Sequence, residues 1–166
     1  MLSFICTVSA QKKNAQTRKP SKTEVIRSNT IKWFKETYVP HFFKNPSSYK
    51  FVKCNVAPKT KGKMLEELIV TSTRNIPRYK QLAERYRFVS PNEYATKYHD
   101  AVDTKERAEK LYSELSEQQK KEIDHYEIYY ECYGTNSFGG RILSSYIMKA
   151  DADGNLDYES IECLDE

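Results

Sequence analysis

Proton transfer near neutral pH falls first to histidine, and this chain has three, His41, His99 and His125. His125 follows Asp124, and an imidazole beside a carboxylate, with a cysteine nearby, is the least that nucleophilic catalysis requires. Successive side chains on a strand point to opposite faces, so the sequence predicts that Asp124 does not orient His125. No serine stands in a nucleophile elbow, no P-loop is present, and no Cys/His spacing suggests zinc. Asp151, Asp153, Asn155, Asp157 and Glu162 take the first, third, fifth, seventh and twelfth places of an EF-hand-like loop. Leu156, however, stands where that loop needs glycine, and strands flank it, so a polar hairpin turn is the better reading. The sequence assigns no catalytic residue, no metal ligand and no cofactor.

Binding chemistry is better represented. In Asn136-Ser137-Phe138-Gly139-Gly140 the paired glycines permit positive φ and close backbone approach. Asn136, Phe138, Gly139 and Gly140 are therefore candidates for presenting amide hydrogens to an anion or peptide. The competing reading is a hairpin whose turn needs glycine, with Phe138 packed back onto a helix. Tyr129 and Tyr133 alternate with Glu127 and Glu131 on the polar phase of their strand, which leaves some aromatic surface exposed. Tyrosine among carboxylates suits a protein, peptide or glycan partner. Nucleic acid would want Lys and Arg interleaved there and is not expected.

These residues need a scaffold, and the hydrophobic pattern supplies one. From Ser21, apolar residues recur at three- and four-residue steps through Val25, Ile26, Trp33, Phe34 and Tyr38, predicting a helix that Pro40 ends or kinks. A strand is expected over 49–57, stopped by Pro58. The charged middle, about 59–123, reads as a helical insertion with candidates at 64–70, 79–87, 91–98 and 104–122. Alternation then predicts strands over 125–133, 141–150 and 156–164. Asp153-Gly154 signals a type I′ hairpin turn. The expected fold is α+β, an N-terminal helix packed on a four-stranded, mostly antiparallel sheet with a helical insertion between the first and second strands. Cys54 and Cys132 lie on apolar strand phases, as small buried hydrophobes or as partners in a disulfide. An odd count with Cys163 leaves both open.

Length suits a single domain over 23–166, and no apolar run is long enough to span a bilayer. The net charge is +4, but five cations between Lys12 and Lys22 exceed it, leaving −1 from Thr23 onward. Basic charge thus belongs to a flexible linker at 11–22. Ahead of it, residues 1–10 form a short apolar run ending Val8-Ser9-Ala10, with the small residues that signal peptidase needs before Gln11. A charged n-region and a full-length apolar stretch are lacking, as in a reading frame begun at an internal Met. Residues 1–10 read as the remnant of a signal peptide, which places the chain outside the cytoplasm, in the periplasm or secreted.

Two segments carry a resemblance. Lys44-Asn45-Pro46-Ser47-Ser48-Tyr49 and Tyr133-Gly134-Thr135-Asn136-Ser137-Phe138-Gly139-Gly140 are similar to runs in small exported α+β proteins of Bacteroides-type Gram-negative bacteria. The resemblance covers the outer two-thirds of the chain, and it implies export and fold without implying a reaction. The expected function is an exported, non-catalytic binding or interaction module of the cell envelope. The alternative is a small hydrolase or transferase on a helix-plus-sheet scaffold of the cystatin or NTF2-like kind. That alternative requires a cavity holding His125 or His41 with a carboxylate in reach.

Overall fold

In the computed structural model, which describes residues 18–136 and 138–165, the first helix starts at a reciprocal cap. The Glu24 amide donates to Ser21 Oγ, and the Ser21 amide donates to the Glu24 carboxylate. Two amides that a helix start leaves open are thereby satisfied. This fixes α1 at Lys22–Trp33, so regular structure begins at the last residue of the expected linker. The leader, and the linker as far as residue 17, lie outside the described residues.

Pro40 does not end the helical run. A π-helical turn, Phe34–Tyr38, follows α1 directly, and α2, Val39–Phe42, continues from it. The widened turn lies just ahead of Pro40, where a regular α-helix would lose an N–H bond and meet the proline ring. The run turns Ile26, Thr30, Phe34 and Val39 inward, all buried. Thr30 is tolerated there because its hydroxyl donates to the Ile26 carbonyl at 2.8 Å.

Strands β1 (Lys50–Thr60), β2 (Ile123–Thr135), β3 (Arg141–Asp151) and β4 (Leu156–Cys163) form one sheet in the order β1-β2-β3-β4, every pairing antiparallel. The fold is α+β, with a helix on a four-stranded antiparallel sheet and a helical segment between the first two strands. Pro58 does not stop β1 but pairs with Tyr126 inside it. Its ring nitrogen shares the outward phase of Cys54, whose carbonyl faces away from β2 and accepts from Arg27 Nε at 3.0 Å. On an edge strand that phase needs no ladder N–H. The β3–β4 turn is not type I′, because Gly154, at φ 96°, is the one described residue there with positive φ. The Gly154 amide donates to Asp151 O and the Asp151 amide to Asn155 O, closing a longer loop. The Asp151 carboxylate accepts from the Gly154 and Asn155 amides and from Asn155 Nδ2, which commits it to the turn.

The insertion is built mainly of two long helices instead of four separate ones. α3 (Lys61–Tyr86) and α4 (Pro91–Glu114) form an antiparallel hairpin, and α5 (Glu117–Lys120) leads back to the sheet. Thr60 caps α3 by accepting from the Lys63 amide. Leu65, Ser72, Ala101 and Ala108 are buried in the hairpin, mostly small side chains that let the helices approach closely. Gly62 is needed at the base, where an added Cβ would stand 2.9 Å from Lys120 Cβ. No helix among the described residues is long and apolar enough to cross a membrane.

The main core lies between the N-terminal helix and the inner sheet face. Cys54, Tyr126, Ile128, Tyr130, Cys132, Tyr146, Met148 and Ala150 meet Ile26, Phe34 and Val39 there. Cys54 and Cys132 are buried free thiols, so of the two expected roles the chain uses the small hydrophobe.

Candidate functional site

The six residues named from the sequence do not form one site: Tyr133 and the loop residues lie at one end of the sheet, whereas Tyr129 sits at the middle of β2, paired with Asn55 and Ile147. Tyr129 and Tyr133 lie half-buried on the outer face, away from the N-terminal helix. Tyr129 donates to Glu131 Oε1 at 2.7 Å, and Lys53 Nζ sits 4.8 Å from the Tyr129 ring centre and 3.2 Å from Glu131. The bond from Tyr129, aided by Lys53, holds the Glu131 carboxyl below its ordinary value. Arg141 covers the Tyr133 ring at 3.8 Å. The expected bare aromatic surface is thus capped by cations, because long basic side chains from neighbouring positions lie along the rings.

The glycine loop also differs from expectation. Asn136 Oδ1 accepts from the Phe138 amide at 3.0 Å and the Gly140 amide at 2.8 Å. Two amides proposed for a ligand are therefore consumed by the loop's own asparagine. Gly139 takes φ 80°, the left-handed conformation that favours glycine. Phe138 does not pack back on the helix; it is 95% exposed, and Ser137 lies outside the described residues.

A recess opens beside this loop, at the mouth between the N-terminal helix and the inner sheet face. Its volume is about 270 Å³, and Phe42, Phe43, Asn136, Ile142, Ser144 and Tyr146 are among its walls. Phe42 is 70% exposed and Ile142 42% exposed, whereas Tyr146 forms a buried floor. Phe43 is held in place against Gly134, where an added Cβ would stand 3.0 Å from the ring. Phe42 ends α2 and Ile142 lies near the start of β3. Their shared signal is an apolar residue on the core phase of each element, one step beyond where the core ends.

A second cleft, about 410 Å³, lies where α3 crosses the outer face, lined by Met64, Glu67, Leu68, His125, Glu127 and Lys149, together with Lys59 and Thr71. His125 Nδ1 lies 2.9 Å from Asp124 Oδ2, against expectation. Side-chain alternation holds along a regular ladder, but β2 begins opposite a register shift between Lys59 and Thr60, which lets neighbours meet. His125 Nε2 is buried without a hydrogen-bond partner, 4.0 Å from Glu127 Oε1. Lys59 bridges Glu67 at 2.6 Å and Glu127 at 3.3 Å. Its bond to Glu67 raises its pKa, burial opposes this, and Glu127 adds to it. His41 is exposed on α2, bonded to the Thr37 carbonyl, and lines neither cleft.

No protein-family model, curated protein or solved structure matches this chain.

Proposed function

We propose that the chain is an exported, non-catalytic binding module of the cell envelope, holding an apolar segment of a protein or peptide in the mouth between the N-terminal helix and the sheet. One observation carries this reading: Phe42 and Ile142 stand exposed around a recess floored by buried Tyr146. Large apolar side chains left in water around a concavity favour an apolar anchor from a partner. Asn136 and Ser144 add polar groups that give such an anchor orientation. Export rests on the leader and on the resemblance of the two sequence segments to exported proteins. A glycan partner is less well served, because the tyrosines that would stack on sugar rings are covered by Lys53 and Arg141.

Peptides selected from a random display library against the folded protein are expected to share a bulky apolar residue. Ile142→Asp is expected to weaken them about tenfold or more, by placing a charge against that residue, while leaving the unfolding midpoint nearly unchanged. Equal binding by Ile142→Asp, or selected peptides with no apolar anchor, would count against the mouth as the site.

The cleft beneath α3 favours a second reading, the small hydrolase or transferase. With Asp124 bonded to Nδ1, His125 Nε2 faces Glu127 across a gap too long for a direct hydrogen bond. A substrate hydroxyl or water placed between them would stand within reach of a general base. Turnover of chromogenic ester, glycoside or phosphoester substrates, lost at least a hundredfold in His125→Gln, would favour this reading. Turnover equal in both proteins would sink it.

A further inference from the structure

The α3–α4 hairpin ends in a turn that the mouth and the His125 cleft leave unused. Phe88 and Val89, at that turn, are 84% and 79% exposed. Two large adjacent apolar side chains in water at a convex tip are costly unless something covers them. Two arginines lie at the tip. Arg87 lies over the Phe88 ring at 4.5 Å, and Arg85 lies 5.6 Å from the Tyr86 ring centre. Tyr86 and Tyr94 pair across the base of the turn at 5.4 Å. Among the described residues, Arg78, Lys80, Arg85 and Arg87 form no ion pair, whereas Glu93, one of two nearby acids, is already bonded to Lys97. Residues 78–97 carry a net charge of +3.

We propose that this tip docks on an anionic phospholipid surface, with Phe88 and Val89 entering the headgroup boundary and the unpaired cations meeting lipid phosphates. The shape favours a bilayer over a protein. A convex pair of side chains needs a matching pocket on a protein, whereas a fluid lipid surface opens around it. The order of residue types also fits, with apolar groups outermost, then arginine, then the tyrosine pair at the level where amphipathic rings sit in membranes. Reach follows from length: the 26 residues of α3 extend about 39 Å along the helix axis, holding the turn clear of the sheet.

The experiment is co-sedimentation of the full chain with vesicles of phosphatidylcholine alone or mixed with phosphatidylglycerol. Binding is expected only with the anionic mixture. Phe88→Asp combined with Val89→Asp is expected to reduce it about tenfold or more with no change in unfolding midpoint. Arg85→Gln with Arg87→Gln is expected to weaken it and flatten its salt dependence. Phe88→Trp supplies a depth readout, because Trp33 is the only native tryptophan and lies against Tyr38 and Tyr158 instead. Brominated lipid is expected to quench this variant more than the native chain. Undiminished binding by the double Asp variant would overturn the proposal, leaving the basic residues ahead of the first helix as the charge-only contact. Absence of extra quenching would overturn it too, as would an oligonucleotide that competes fully with the vesicles.

Discussion

Phe34→Ala is expected to cost about 3–5 kcal/mol of unfolding free energy, the range for removing a buried phenyl ring. That is a large part of the roughly 5–15 kcal/mol that holds a domain folded. Phe34 is fully buried and is the ring on which the helix docks. Its face stacks on Tyr130 with centres 4.1 Å apart, and Tyr38 and Tyr146 stand at 4.6 and 5.0 Å. Trp33, Phe43 and Tyr49 complete the cluster at slightly over 6 Å. Rings this rigid do not collapse into the space left behind, so the cavity is expected to persist and the loss to lie toward the upper end. Phe34 also begins the π-turn, so its loss loosens the region that carries Phe42 and Phe43 to the mouth. Urea unfolding followed by Trp33 emission and far-ultraviolet circular dichroism measures the effect, with Phe34→Leu expected to fall between. A loss below about 1 kcal/mol would mean that the helix is held to the sheet by other contacts.

The second large effect is alkaline unfolding. Burial pushes the Cys54 thiol up to about 11 and the Cys132 thiol up to about 12, from an ordinary 9.0. Burial likewise raises the phenols of Tyr130 and Tyr146 above the usual tyrosine value. For Tyr130 a hydrogen bond with the Tyr49 hydroxyl adds to the shift. All four groups are neutral when protonated. Above about pH 9 the unfolded chain releases thiol protons that the folded chain still holds, so ionisation favours unfolding. Stability from the two thiols is complete below pH 9 and is lost as pH rises through 11 to 12, each unit of pKa difference counting for about 1.4 kcal/mol. The urea midpoint is expected to hold steady near pH 8 and fall steeply above pH 10, less steeply in Cys132→Ala. At pH 8 a disulfide reagent is expected to reach half-buried Cys163 well before Cys54 or Cys132. Prompt reaction of Cys132 in the folded chain would contradict this ordering.

The contrast between what was legible and what was not follows from the range of the forces involved. Strand alternation marks Tyr126, Ile128, Tyr130 and Cys132 as one face in the sequence, and they form the core face of β2. Proline is costly in a strand only where its nitrogen would donate to the ladder, so Pro58 does not stop β1 as expected, and Pro40 distorts its helix without ending it. At Pro58 that nitrogen faces the open edge of β1, and ahead of Pro40 the helix widens into a π-turn. The Asp124–His125 contact was invisible because strand alternation predicts regular ladders and says nothing of an irregular strand start. The mouth was illegible for another reason, since Phe42 and Ile142 are 100 positions apart and nothing local pairs them.

Local chemistry therefore determined the α+β class, the order of the four strands along the chain, the helical insertion, and the presence of a loop between β2 and β3. Hydrophobic period and turn residues act over a few positions, and a single sequence displays them in full. Tertiary structure alone decided which aromatic rings stay bare. It covered Tyr129 and Tyr133 with Lys53 and Arg141, left Phe42, Phe88 and Phe138 in water, and set His125 between Asp124 and Glu127. Exposure and pairing depend on which distant side chain arrives at a given spot, and that is fixed only when the helix, the hairpin and the sheet have packed together.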